Sequence, residues 1–349
     1  MDEKHVLILT YEMDELSQVF SHQISIVNEM AKYFEKVTVL TGRTGSYKVS
    51  ENVTVYSSNW KSGMRISSAS RFLILYLKLS LQNRFTVIFS HMTSVQAAII
   101  SPITRVFRIK HYLWYTHKSD NFALRYCHFF TNGILTATSG SCPISSAKVF
   151  VVGHSIDTKL FTRKSNISFP IEKFVHVGRF DPSKNIDLII SALAESRSTN
   201  NAITFSTIGE PSGPSNVAFY EKLTNQYLIG KSQSWINFQK SVPRNTLPQL
   251  LTNFDCFVHA FKGSLDKAVL EATLVGLPVA TINKEYLNIF GSWDLANRDA
   301  KYSLEKEIEF LLSINKVDLI EELNRRYKIA QKDYELEGWA RRVIEILNN

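Results

Sequence analysis

The stretch that most restricts the fold is residues 261–281, FKGSLDKAVLEATLVGLPVAT, with the run CFVHA directly before it. CFVHA (256–260) is short, β-branched and aromatic, and reads as a buried strand. LPVAT reads as a second, with Pro278 at its start, where a strand tolerates proline. Between them Leu265, Val269, Ala272 and Val275 recur at helical spacing, and Gly276 supplies the stop. Gly263 and Ser264 open that helix: Ser264 is suited to the N-cap, and Asp266 falls in the first turn. A strand feeding a helix through a glycine-containing turn leaves backbone N–H groups pointing outward, so residues 264–267 (Ser264, Leu265, Asp266, Lys267) form a candidate phosphate-binding end. Glu271 lies about two turns further in, too deep to serve the helix dipole. A carboxylate buried there needs a partner, and a pair of sugar hydroxyls would fit. From these residues alone, a plain strand–helix–strand unit with Glu271 on a solvated face is the equal alternative.

The rest of the chain bounds the answer. Its 349 residues are enough for two domains, and 44% apolar with 21% charged residues describes a soluble globular protein. Cys127, Cys142 and Cys256 are widely spaced with no CxxC, which argues for a reducing compartment and against structural zinc. The start, MDEKHVLIL, is acidic before a short apolar strand and does not read as a signal peptide. Residues 72–77 form the longest apolar run, too short to span a bilayer. Net charge is +8, unevenly spread: residues 1–165 hold 19 Lys/Arg against 10 Asp/Glu, and residues 52–119 hold no carboxylate. A cationic N-terminal half suggests an anionic partner there: a membrane surface, a phospholipid-linked acceptor or nucleic acid. No helix-turn-helix, RNP or zinc pattern supports the last.

Along the chain, HVLILT (5–10) reads as the first strand. The following loop, 11–17, has no glycine, so the dinucleotide fingerprint of Rossmann dehydrogenases is absent. A helix to about Phe34, strands at 37–41 and 53–56, and later FTVIFSH (85–91), YLWYTH (112–117), GILTATS and KVFVVG repeat the alternation of a parallel sheet. His91 and His117 end two of these strands, where ligands of parallel sheets gather. Residues 60–84 combine an amphipathic pattern with Lys61, Arg65, Arg71, Lys78 and Arg84; an ordinary surface helix and a membrane-surface helix both suit it. In the second half, KFVHVGRFDPSKNIDLIISAL gives strand, turn and helix. Arg179 and Lys184 flank the turn and are placed to converge on one anion. Further strands are expected at 203–210 and 235–243, and helices at 304–314, 317–330 and 336–347.

Several of these motifs resemble the retaining family-4 glycosyltransferases, the glycosyl transferases group 1, which have the GT-B fold. LEATLVGLPVA resembles the family signature in which a Glu, seven residues and a second Glu precede A-x-x-x-G-x-P-V. Glu271 matches the second Glu, implied to hold the nucleotide ribose. The first, implied to touch the donor sugar, falls at Gly263, with Asp266 the nearest carboxylate. GRFDPSKN resembles G-R-x-x-x-x-K-[GN], which makes Gly178 part of the donor site and Arg179 and Lys184 a diphosphate clamp. The resemblance also implies that the backbone at Ser241 and Val242 reads the base edge, and that His117, with His91 as second choice, faces the donor sugar. GHSIDTKLF is similar to the family's domain junction, with Ser155 in place of a glycine; the glycine-poor loop at 11–17 is a further departure.

The fold expected is therefore α/β, GT-B, with two Rossmann-like domains facing across a cleft. Residues 1–157 would bind the acceptor, 171–332 the nucleotide sugar, and 333–349 would form a helix crossing back to the first domain. The expected activity is transfer of a sugar from an NDP-sugar to an acceptor hydroxyl with retention, in cell-surface polysaccharide or glycolipid synthesis. No metal or other cofactor is expected, since no Asp-x-Asp pair occurs and Arg179, Lys184 and the helix end can hold the leaving diphosphate. The partners expected are the donor, a lipid-linked or glycan acceptor and an anionic membrane surface, with no nucleic acid. The expected location is cytoplasmic, on the inner face of the membrane. A sugar-nucleotide epimerase and a weak or inactive GT-B subunit are the rival readings.

Overall fold

The structure, a computed structural model, describes residues 4–17, 19–61, 64–228, 235–299 and 303–349. Ser62, Gly63 and the side chain of Arg65, all in the basic segment noted above, lie outside the described residues. The chain divides into two compact units: Met1–Ser155 with Glu335–Asn349, and Ile156–Tyr334.

Unit 1 follows the alternation legible in the sequence: β1 (His5–Met13), α1 (His22–Ala31), β2 (Lys36–Thr44), β3 (Val53–Ser57), α2 (Arg65–Gln82), β4 (Val87–His91), α3 (Ser94–Val106), β5 (Lys110–Trp114), α4 (Phe122–Phe130), β6 (Gly133–Thr136) and β7 (Val149–Val151). The seven strands form one parallel sheet in the order β3-β2-β1-β4-β5-β6-β7. β1 runs past the expected end of its strand, pairing Glu12 with Arg43 and Met13 with Thr44, so the first three residues of the predicted loop are strand.

Successive side chains of a strand point to opposite faces, and β1 shows the consequence. Val6 and Ile8 join a core with Ile26, Met30 and Trp339; Leu7 and Leu9 join another with Phe72, Tyr76 and Leu79 of α2. A sheet covered on both faces needs strands with a continuous apolar stretch, as 6–9 (VLIL) of β1 and 87–89 (VIF) of β4 are.

Unit 2 contains β8 (Lys173–Val177), α5 (Ile186–Arg197), β9 (Thr204–Ile208), α6 (Pro214–Leu228), β10 (Ile236–Gln239), α7 (Leu247–Leu251), β11 (Cys256–His259), α8 (Lys267–Val275), β12 (Val279–Thr281), α9 (Lys284–Phe290), α10 (Leu304–Ser313) and α11 (Lys316–Tyr334). The last helix, α12 (Leu336–Asn348), belongs to unit 1. The five strands of unit 2 are parallel in the order β10-β9-β8-β11-β12. Phe174, Phe205 and Val258 face α5 and α10; Val175, Phe257 and Val279 face α8, α9 and α11.

The segment 158–170, left between the two expected domains, is packed into unit 2. Phe161 is buried in its core, Arg163 donates to Asn324 at 2.6 Å, and Lys164 donates to the Phe254 carbonyl at 3.1 Å. Spaced single anchors of this kind leave no periodicity to read. In both sheets the strand order reverses between the first and fourth strands of the unit. Ligands of open parallel sheets gather outside the carboxyl ends of the strands at that point. In unit 2 it lies between β8 and β11, whose following loops carry residues 178–185 and 260–266.

Candidate donor-nucleotide site

The loop after β8 begins at Gly178. A Cβ there would sit 3.0 Å from His176 Nε2, and one on Gly209 only 1.9 Å from the Gly178 carbonyl oxygen. The loops after β8 and β9 thus touch backbone to backbone, which glycine alone permits. The Gly178 N–H donates to the Ile208 carbonyl at 3.0 Å and that of Phe180 to Glu210 at 3.1 Å. Asp181 then caps a short 3-10 turn, Pro182–Lys184, with its carboxylate accepting from Ser183 N at 2.9 Å. Asn185 follows in the left-handed region at φ 49° and ties the loop to the Ala260 carbonyl at 2.9 Å. This geometry sends Arg179 outward, exposed, and turns Lys184 inward, where it is 9% exposed.

Lys184 forms an ion pair with Asp266 and lies over the Phe261 ring, its ammonium 4.2 Å from the centroid. The structure assigns the N-cap of α8 to Asp266, not to Ser264. The Asp266 carboxylate accepts from Ala268 N, and the helix starts at Lys267. Ser264 and Leu265 are buried in the loop before the helix, and the Asn283 amide grips that loop through the carbonyls of Phe261 at 2.9 Å and Ser264 at 3.2 Å. Gly263 has no room for a side chain as the loop stands, since a Cβ would fall 2.0 Å from the Phe261 ring.

Charge is distributed unevenly around that helix start. Burial would raise the Asp266 carboxyl, but the Lys184 ammonium and the contact with His259 outweigh it and hold the group well below the usual carboxylate range. His259, fully buried at the end of β11, is pushed down by burial and is neutral; its Nε2 lies 3.6 Å from Asp266 and its Nδ1 3.0 Å from Thr281 Oγ1. His176 is driven to about 3 by burial, with Nδ1–H donating to the Val258 carbonyl at 3.1 Å.

Glu271 sits in the second turn of α8 and is 3% exposed. The partner that its burial demands is Arg244, whose guanidinium forms an ion pair with it and lies 5.0 Å from the Phe161 ring centroid. Lys267, one turn before Glu271, buries its amine with no hydrogen-bond partner among the described residues. Burial, reinforced by repulsion from Arg244, lowers its pKa to about 7 against the attraction of Glu271.

The fold therefore gathers Gly178, Lys184, Asp266, Lys267 and Glu271 on unit 2, around the start of α8. Ser241 and Val242 follow β10, where the Ser241 hydroxyl donates to Glu210 at 2.7 Å. His117 belongs to unit 1, exposed beyond β5, its ring edge-on to Tyr115 at 5.5 Å. His91 is buried, stacked on Trp114 at 5.9 Å and against Trp339. Sequence reading missed Arg244, His259 and Asn283. Only the first had a signal, a lone Arg after an expected strand in a chain whose Glu271 needed a counterion.

A parallel sheet with a basic loop and a helix start at its switch point is the arrangement at which open α/β proteins hold ligands. Residues 158–293 match the family model described as glycosyl transferases group 1. That match lies within unit 2, and the chain as a whole has the fold of the GT-B glycosyltransferases. HepE from Anabaena, solved with UDP-glucose, is similar at a TM-score of 0.75 and 15% identity over 99% of each chain. A glycosyltransferase from Rickettsia africae is similar at 0.72 and 12%, over 100% of this chain and 98% of its own. TarM of S. aureus, solved with fondaparinux, α-GlcNAc-glycerol and UDP, is similar at 0.64 and 10%, over 99% of this chain and 100% of its own. At such identities the likeness establishes the fold. No curated protein sequence matches the chain.

Proposed function

We propose that this protein moves a sugar from an NDP-sugar to an acceptor hydroxyl with retention of configuration, in the synthesis of a cell-surface polysaccharide or glycolipid. The observation that carries the reading is that Glu271 in α8 and Lys184, paired from the loop after β8 with Asp266 at the start of that helix, meet at the switch point of unit 2. Two oxygens of a carboxylate match two vicinal ribose hydroxyls, and a lysine held at the start of the same helix matches a phosphate. The solved complexes of HepE with UDP-glucose and of TarM with UDP support a uridine donor as the first to try. In this reading Arg179, Lys184 and the amide groups at the start of α8 stabilise the diphosphate as its bond to the sugar breaks. The departing phosphate takes the acceptor proton, so no separate protein base and no metal are required.

Acceptor recognition falls to unit 1, whose basic segment suits a lipid-linked or anionic glycan acceptor at the inner face of a membrane. α2 strengthens this reading: Ile66, Ile74, Leu77 and Leu81 recur along its exposed side beside Arg71 and Lys78. No helix among the described residues is long and apolar enough to cross a membrane.

The reading is tested by Glu271→Ala. Loss of charged hydrogen bonds to ribose should weaken UDP binding by about 1–3 kcal/mol in calorimetry, and unchanged affinity removes Glu271 from the site. A weak or inactive subunit is the second reading, favoured by Gly263 at the position where the family carries a carboxylate. Mass spectrometry of nucleotide sugars incubated with a membrane extract separates the two.

A further inference from the structure

The lysine assigned above to the diphosphate already holds an anion. Lys184 is buried, and its ammonium is ion-paired with the Asp266 carboxylate. The same carboxylate accepts from Ala268 N at 3.4 Å and lies 3.6 Å from His259 Nε2. One side chain thus occupies an ammonium and a backbone amide in the first turn of α8, donors that a phosphate group would take. As it stands Asp266 is committed to Lys184, so it takes up the role of the carboxylate missing at Gly263 only by leaving that pair.

Resting on the donor reading of unit 2, we infer that Asp266 is a built-in competitor for the donor's diphosphate, a residue that sets donor affinity by sitting on Lys184 until the nucleotide displaces it. Two anions sharing one ammonium repel each other strongly where little water screens them. Lys184 holds the carboxyl ionised far below neutral pH, so protonation does not release it. Displacement needs the aspartate to swing outward, and its side chain has that freedom, being 22% exposed. The arrangement favours loose binding of the donor and ready release of the nucleoside diphosphate product.

A purely structural role for Asp266, as helix cap, is separable because asparagine caps a helix equally well and glycine nearly so. The full chain carrying Asp266→Asn, and separately Asp266→Gly, is titrated calorimetrically with UDP, GDP, ADP and TDP and with the matching nucleosides. The expected result is a diphosphate that binds both variants about tenfold or more tighter than wild type, tenfold being about the effect of removing one like charge a few ångströms away in bulk water and therefore the lower bound where less water screens it. Nucleoside affinity should not change, and the gain should vanish when Lys184→Met is added. Equal diphosphate affinity in wild type and variants overturns the inference while leaving the donor reading standing, as does a gain that survives Lys184→Met. A lower melting temperature with no gain in binding leaves Asp266 as a cap and overturns it too. If no diphosphate binds any form, the donor reading falls, and the inference with it.

Discussion

Removing the Arg244 guanidinium should destabilise unit 2 by more than any loss of surface charge. The Glu271 side chain is 4% exposed and that of Arg244 is 20% exposed, so Arg244→Gln leaves a carboxylate nearly out of water. With Arg244 in place the Lys267 amine makes no hydrogen bond to Glu271, so the pair with Arg244 is the contact that is lost. Breaking one side of a buried ion pair costs about 3–5 kcal/mol. Partial hydration of Arg244 brings this case to or just below the bottom of that range, at about 2–3 kcal/mol. For a domain of this size each kcal/mol moves the midpoint by about 2–4 °C, so melting should fall by about 5–10 °C. Glu271→Gln should cost less, because Arg244 can turn to solvent. The double variant should be more stable than the sum of the single losses by about 1 kcal/mol or more. Thermal and urea melts of the four proteins check this. Strict additivity would falsify the ion pair as a coupled unit, and an Arg244→Gln midpoint within 1 °C of wild type would refute the burial argument itself.

Replacing Arg179 and Lys184 by Gln and Met should lower turnover and weaken UDP binding while leaving uridine binding as before; equal losses for both ligands would mean that the changes merely disturb the loop. Vesicle co-sedimentation tests α2: pelleting should need anionic lipid, fade with salt and fall when Lys61, Arg65 and Arg71 become Gln, at about 1 kcal/mol per basic residue near the surface. Equal pelleting with neutral vesicles, or none with either, ends that proposal. Acid should destabilise both units, because burial drives His111 in unit 1 and His176 in unit 2 to about 3. The unfolded chain binds these protons below about pH 6.5 and the folded chain does not, so stability is full above that pH and is lost as pH falls towards 3. At pH 5 each imidazole should account for about 2 kcal/mol, read as a lower urea midpoint; an unchanged midpoint shows that neither is buried neutral.

Strands announced themselves because each is a short apolar run between polar turns, and both sheets were legible almost strand by strand. Helix starts were less so. Ser264 and Asp266 are both good caps, and only the Asn283 amide, which holds residues 261–264 out of the helix, settles the choice for Asp266. Glu271 was legible as a buried carboxylate needing a partner; the identity of that partner was not, since Arg244 lies 27 residues away on another loop. Lys184 stood out by its spacing from Arg179. Its burial came from the left-handed turn at Asn185 and the ring of Phe261, neither of which spacing reveals.

The return of α12 to unit 1 has a consequence for the order of folding. Trp339 is fully buried against Trp114 and Phe89, and Val343 and Leu347 close the same core. Unit 2 is continuous in sequence and has every residue of its core once Tyr334 has been made. Unit 1, whose sheet is synthesised before unit 2, holds an open apolar face until residues 335–349 arrive. Of the two units, the one begun earlier is thus the later to close. A stop codon near residue 335 would harm not the unit beside it in sequence but the sheet laid down some two hundred residues before.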